Sequence, residues 1–400
     1  MYARPRHSLC ILLLALAALT VGAACTPAPG RTLRIYTSLP LQTRQGESIR
    51  KGIALALTQA NWQAGGFTIE LVAHTDSVES GQWDADLEQA NANEAVAGLN
   101  VIAYIGPFNS GAAEISIPIT NRGGLAQISP GNTAPALTKF GFQPGRPGEF
   151  YPTGRRNYFR TCPTDDVQGA AGALWARQMG FTSVYVLDDG ELYGSGIADL
   201  FEEKAADLGI QVRGRESIDK RAEDFGDVLR RVAQAQPDLV YFGGVTPNGA
   251  PLIVKQMREM GVQATYMVPD GSVDSEFIDK AGPASEDVLA TMVGIPPRAL
   301  TGLGAEFYAA YVAEYGEDPE PFAQFGYDAA RVVLAAIERT RANDRKAILD
   351  AIAATHGFPG TGGEFSFDRN GDTTLAAISG NRVVNGRFEF VQALMTSAGP

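Results

Sequence analysis

Two hydroxyl side chains fall where a sheet would present them to a small molecule. Ser110 and Thr133 each follow a short apolar run that is broken by a turn: Val101–Ile105 ends at Gly106-Pro107, and Leu125–Ile128 ends at Ser129-Pro130-Gly131-Asn132-Thr133. After Ser110-Gly111, the stretch Ala112–Thr120 can form a helix with Ser110 as its N-cap. A hydroxyl beside the free N–H groups of Gly111 and Ala112 at a helix start would hold a carboxylate with no cation nearby, because unpaired N–H groups and the helix dipole both favour an anion. The same residues also describe an ordinary capping serine and an ordinary turn. What lifts them above that reading is that the two turns would lie on neighbouring C-terminal strand edges, where open α/β sheets bind ligands.

Other chemistries lack their residues. The chain has no Gly-x-x-x-x-Gly-Lys phosphate loop, no Gly-x-Gly-x-x-Gly, no His-Glu-x-x-His and no Gly-x-Ser-x-Gly. Its three histidines, His7, His74 and His356, have no ligand spacing around them. Asp368-Arg369-Asn370-Gly371-Asp372 has its glycine too early for a calcium loop, and no glutamate closes it. No catalytic residue, metal or cofactor is therefore expected.

The elements that would carry these turns alternate strand and helix. Leu33–Thr37, Thr68–Ala73, Val101–Ile105 and Leu125–Ile128 read as strands, separated by helices over Gly46–Asn61 and Asp84–Leu99. A second series runs through Val184–Leu187, Ile197–Ala206, Ile210–Val212, Phe225–Ala235, Leu239–Phe242, Pro251–Met260 and Tyr266–Val268. This alternation predicts mostly parallel sheets with helices on both faces. Lys139–Arg156, rich in Gly, Pro and aromatics, interrupts the rhythm as a long loop whose aromatics are expected to pin it to its own lobe. Glu364–Asp368 and Leu375–Ser379 read as a hairpin around Asn370-Gly371, and Arg382–Phe390 as a last hairpin arm.

Four hundred residues exceed one usual core, so two lobes are expected. A net charge of −12 argues against nucleic acid and against an anionic membrane surface as partners. At the N-terminus, Arg4 and Arg6 precede the apolar run Leu9–Leu19, and Gly22-Ala23-Ala24 precedes Cys25. That is a secretory leader, too short to span a bilayer stably. Cys25, followed by the Pro/Gly/Thr tether to Arg31, fits a lipidated N-terminus; simple cleavage after Ala24 is the alternative, since Gly22 stands where a leucine is usual. With Cys10 in the leader and Cys25 at its end, Cys162 has no partner for an internal disulfide and is expected to be buried as a small hydrophobe.

GPFNSG and ISPGNTAPALT, followed in order by RTCPTDDVQG (160–169), LDDGELYGSG (187–196), VYFGGVTP (240–247), YMVPDG (266–271) and FSFDRNGD (365–372), resemble extracytoplasmic solute-binding proteins of the leucine/isoleucine/valine-binding type. The resemblance spans nearly everything after residue 30. It implies the type I periplasmic binding protein fold: α/β, two doubly wound parallel-sheet lobes joined by a three-segment hinge. Residues 32–162 with 296–373 would form lobe one, and 163–295 with 374–398 lobe two, after a leader (1–24) and a tether (25–31). It implies an amino-acid ligand, branched-chain or small aliphatic, delivered to an ABC permease by a monomer held outside the cytoplasm, periplasmic or anchored through lipid on Cys25. By the same resemblance, Ser110 would take the α-carboxylate, the Gly131 carbonyl and Thr133 hydroxyl the α-ammonium, and Asp270 would pair with that ammonium. Tyr193 would close over the ligand backbone, and Gln45, Phe108, Val245 and Phe322 would line the side-chain pocket. Phe108 and Gln45 there suit a smaller or more polar side chain than leucine. A receptor for an amide, urea or aromatic acid on the same fold, or a ligand-sensing module for a membrane receptor, are the alternative readings; catalysis is not expected.

Overall fold

The computed structural model describes residues 1–2 and 32–394. The leader, Cys25 and the tether fall outside the described residues. From residue 32 the chain enters β1 (Thr32–Leu39) and then α1 (Arg44–Gln59), which Thr43 caps by accepting from Gly46 N at 3.0 Å. Ile49, Ile53 and Leu57 recur every four residues on α1 and are fully buried, each worth roughly 1.5–3 kcal/mol. The short β2 (Gln63–Ala64) turns into β3 (Phe67–Thr75), α2 (Ala85–Ala97), β4 (Val101–Ile105), α3 (Ser110–Arg122), β5 (Ala126–Ser129) and β6 (Tyr158–Arg160). The first sheet has the order β2-β3-β1-β4-β5-β6, parallel except for β2. The strand order reverses between β1 and β4, so a crevice opens beyond their carboxyl ends.

The second sheet starts after α4 (Asp165–Gln178). It contains β7 (Ser183–Asp188), α5 (Leu192–Asp207), β8 (Gln211–Ser217), α6 (Gly226–Ala235), β9 (Leu239–Gly243), α7 (Ala250–Glu259), β10 (Thr265–Val268), α8 (Ser275–Ala281) and β11 (Leu289–Val293). The chain then returns to the first lobe for α9 (Leu303–Tyr315), α10 (Ala323–Thr340), α11 (Arg345–Ala353) and the small hairpin β12 (Phe358–Gly360) and β13 (Gly363–Phe365). It crosses a third time into β14 (Ile378–Val384) and β15 (Arg387–Leu394), antiparallel strands that give the order β15-β14-β11-β10-β9-β7-β8. This is the expected α/β architecture of two parallel-sheet lobes linked by three chain segments. α10 lies against α1 so closely that a Cβ on Gly52 would sit 2.2 Å from the Ala323 carbonyl oxygen.

Two local expectations are corrected. Leu375–Ser379 does not pair with Glu364–Asp368: only Phe367 bridges to Thr373 around the turn, and Ile378 onwards belongs to β14, where burial in the second sheet wins over a local hairpin. In the 139–156 loop Phe150 and Tyr151 are buried, but Phe140 and Phe142 point outwards, so only part of the aromatic set pins it. Cys162 is free and fully buried, and burial pushes its thiol well up.

Lobe one also buries two carboxylates with no cation against them. Glu88 accepts from Ser38 Oγ at 2.6 Å and Tyr104 Oη at 2.8 Å, while neither oxygen of the fully buried Asp76 has a partner. Burial raises Asp76 from 3.8 to about 7, and burial together with the charge of Asp76 holds Glu88 well above the usual range. Folding therefore takes up protons here. The stability Asp76 contributes is full below its ordinary value of 3.8 and is lost as pH rises to about 7, and the upward shift of Glu88 acts in the same direction. Glu88→Gln has no charge to bury and is expected to flatten that decline in Tm between pH 4 and 8. Parallel curves for the two proteins would assign the decline to other groups.

Candidate functional site

The site grows from the carboxyl ends of both sheets. Beyond β4, Gly106 has φ +134° and passes so near β1 that a Cβ would lie 2.3 Å from the Ser38 carbonyl oxygen. That approach brings Phe108 and the start of α3 over the sheet edge. Ser110 is the first residue of α3 and not its cap: Asn109 holds the cap position, and no side chain satisfies the first turn. The helix thus begins two residues before the Ala112 start expected from the sequence, and its leading N–H groups stay available. Ser110 Oγ instead accepts from Ala134 N at 3.3 Å, which ties the two hydroxyl-bearing turns together.

The second turn is held from below. Ser129 Oγ accepts from Gly131 N (3.1 Å) and Asn132 N (2.8 Å), and Asn132 Nδ2 donates to the Phe108 carbonyl at 2.9 Å. The fully buried Arg160 donates Nη1 to the carbonyls of Asn132 (2.9 Å) and Ala134 (3.0 Å), and Nε to Asp372 Oδ1 at 2.7 Å. Thr133 Oγ1 is left buried and without a partner.

Lobe two supplies the facing wall. Tyr193, in the first turn of α5, donates its hydroxyl to Asp270 Oδ1 and accepts from Gly271 N at 3.0 Å. Gly271 is needed there, since a Cβ would meet Tyr193 Cε1 at 2.7 Å. Phe108, Ser110, Gly131, Thr133, Tyr193, Val245, Asp270 and Phe322 surround one small space, joined by Asn109 and Gly271. Phe108 and Phe322 meet edge to face at 5.0 Å. Gln45 is the exception among the residues singled out from sequence. It sits buried in the first turn of α1 with Nε2 unpartnered, away from the lining. The enclosed volume is about 10 Å³, room for one water, so any larger ligand must part the lobes. A cavity of about 520 Å³ lies on another side, between Ser275–Ile278 and Pro319–Pro321, and contains none of these residues.

Asp165, which sequence reasoning passed over, belongs to this centre. It opens α4 within RTCPTDDVQG, is fully buried, and neither carboxylate oxygen has a partner. Burial and the charge of Asp270 keep it well above the usual range, while burial lifts Asp270 to about 6. Asp270 Oδ2 is also unpartnered, as is Gln168 Oε1, whose amide nitrogen is spent on Thr291 Oγ1 at 3.0 Å. Arg160 is already engaged by Asp372. The centre therefore offers acceptors and negative charge on one side, and the free N–H groups of α3 on the other. The available signal was an acid in the first turn of a helix that follows a strand end.

Two lobes, sheet-edge loops converging from both, and a polar centre between them define a solute-binding protein of the hinged type. The family profile described as periplasmic binding protein matches residues 40–385, and the chain belongs to that family. It is 31% identical over 338 residues to the Leu/Ile/Val-binding protein homolog 2 of Brucella abortus (strain 2308), covering 84% of this chain and 85% of that one. It is 28% identical over 349 residues to the leucine-, isoleucine-, valine-, threonine-, and alanine-binding protein of Pseudomonas aeruginosa, covering 85% and 87%. The crystal structure of the leucine binding protein LivK from Thermotoga maritima superposes with a TM-score of 0.81 at 28% identity, covering 90% of this chain and 98% of that one. These relatives are of the branched-chain amino-acid type. Family membership carries an extracytoplasmic location, and no described helix is long and apolar enough to cross a membrane.

Removing the carboxylate of Asp372 leaves the Arg160 guanidinium buried without its counter-ion. Asp372→Ala is expected to cost about 3–5 kcal/mol in denaturant unfolding, whereas a loss below about 1 kcal/mol would mean that the carbonyls of Asn132 and Ala134 and the Thr138 hydroxyl, which also accepts from Arg160, hold it unaided.

Proposed function

We propose that this protein captures an amino acid, branched-chain or small aliphatic, by hinge closure and hands it to an ABC permease. The observation that carries this is the polarity of the closed centre: unpartnered acceptors at Asp165, Asp270 and Thr133 opposite the uncapped start of α3. A zwitterion satisfies both ends at once. Its carboxylate would take the N–H groups of Gly111 and Ala112 and the Ser110 hydroxyl. Its ammonium would donate to Asp270, Thr133 Oγ1 and the Gly131 carbonyl, with Asp165 as a further acceptor; charge-assisted bonds of this kind are the strongest available. Phe108, Phe322 and Val245 would flank the side chain. Because lobe one supplies Ser110 and Thr133 while lobe two supplies Tyr193 and Asp270, the ligand stabilises only the closed arrangement, which the permease would read. The protein would act as a monomer outside the cytoplasm, tethered by lipid on Cys25.

A thermal-shift screen against the twenty amino acids, with simple amides and aromatic acids alongside, tests the ligand class. A ligand at 100 times its Kd stabilises by about 2.7 kcal/mol. A selective response to aliphatic amino acids is the expected result; silence from amino acids with a response to amides or acids overturns the ligand and leaves the fold. Asp270→Ala is expected to abolish amino-acid binding in calorimetry without lowering Tm. The cation must meet an ionised carboxylate, and Asp270 is lifted to about 6. Affinity should hold above that pH and weaken by about tenfold per unit below it; a flat profile from pH 7 to 5 would remove Asp270 from the ammonium site.

A further inference from the structure

Between β3 and α2 the chain folds back on itself as a strap over Ser77–Trp83. Asp84 N donates to the Asp76 carbonyl at 2.7 Å, Ser77 bridges Trp83, and Val78 N and Gly81 N close the tip at 2.9 Å each. The strap belongs to lobe one, yet its tip rests on lobe two. Gln82 Nε2 donates to the Lys220 carbonyl at 3.1 Å and to Asn248 Oδ1 at 3.2 Å. Asn248 is itself fixed, buried and donating Nδ2 to Asp189 Oδ2 at 2.7 Å. Gly81, at φ +86°, brings the backbone down beside Pro247, where a Cβ would stand 3.3 Å from Pro247 Cγ.

The next residue points the other way, into the site. Trp83 lies over the first turn of α3 so closely that a Cβ on Gly111 would meet its Cζ2 at 2.7 Å. It shares a small space with Asn109, Ser110, Tyr193 and Val245, all of which also line the central cavity. One strap thus has its ring against the start of α3 and its neighbouring amide bonded across the cleft.

We infer that the Ser77–Trp83 strap is a latch: Trp83 senses the occupied start of α3, and Gln82 holds lobe two shut over the ligand. This rests on the solute-binding reading given above. Other described hydrogen bonds across this side of the cleft run from the half-buried Ser275 to Glu320 and from the exposed Arg44 to Ser275 and Glu276, with an ion pair between Arg44 and the exposed Asp279. Exposed ion pairs contribute little and fade with salt. The Gln82 bonds are uncharged and half-buried, so they act in the release step at any ionic strength.

The test is stopped-flow binding of L-leucine and L-isoleucine to the wild type, Gln82→Ala, Asn248→Ala and the double variant. Losing about one net hydrogen bond should speed dissociation roughly fivefold with association unchanged. The double variant should be no faster than the faster single one, since both remove the same contact. The effect should persist at 0.5 M salt, unlike that of Arg44→Ala. A second readout needs no amino acid: distances between spin labels at the exposed Asn93 and Glu259, on the helices α2 and α7 that follow the strap and its seat, with Gln82→Ala losing closed population. If no amino acid binds the wild type, the ligand reading fails and the label distances decide the strap. Unchanged dissociation rates, or identical distance distributions where no ligand is found, overturn it.

Discussion

Much of the molecule converges on one buried cation. The Arg160 guanidinium donates to the carbonyls of the Asn132–Ala134 turn, to Thr138 Oγ1 and to Asp372, while its own backbone N–H donates to the Gly371 carbonyl at 3.1 Å. Those partners lie in the turn after β5 and in the last segment before the chain crosses to β14. Arg160 itself ends β6, directly before the first crossing. A single planar side chain with five fixed donors can hold three separate stretches at defined angles, which a lysine could not. The geometry of the Asn132–Ala134 turn and the origin of two of the segments that link the lobes are therefore set together.

That arrangement explains why the carboxyl groups at the centre of the cleft have no cation of their own. Among the described residues the one fully buried cation is Arg160, which is consumed by Asp372, and Asp165 and Asp270 are left to share a region where burial, and for Asp165 also the charge of Asp270, opposes ionisation. Unsatisfied buried carboxylates cost several kcal/mol in a finished core. In a binding site the same cost becomes differential affinity, because a cationic ligand removes it and an uncharged one does not. Asp76 and Glu88 carry the same kind of cost in lobe one, at the root of the strap.

The strand–helix alternation was legible because it rests on patterns a single sequence displays, whereas the three crossings between the lobes came from the family resemblance. Apolar runs such as Val101–Ile105 and the four-residue spacing on α1 announce strands and helices directly, and turn chemistry at Gly106 and Gly131 marks where the sheet edges lie. What could not be read were properties of distant pairs. Asp165 looks like an ordinary acid at a helix start until the fold lays Asp270 beside it, more than a hundred residues on in the chain. Arg160 and Asp372 each sat in a motif that had been noted, with nothing local to join them. Ser110 was misplaced by one cap position because Asn109 and Ser110 are equally good capping residues, and tertiary contact with Ala134 made the choice. Leu375–Ser379 looked like a hairpin arm because the competing strand, β11, is about eighty residues away.

The pairing of α1 with α10 has a consequence for how the chain comes to be folded. The first helix finds its partner some 270 residues downstream, and the second sheet is not complete until β14 and β15 arrive at the far end. Neither lobe can finish while the ribosome is still at work on the last quarter of the message. Loop closure over such separations is slow, so the growing polypeptide stays without a finished core through most of its synthesis. For a protein of an extracytoplasmic family that delay would be an asset, since a chain without a finished core is easier to move across a membrane than a folded one.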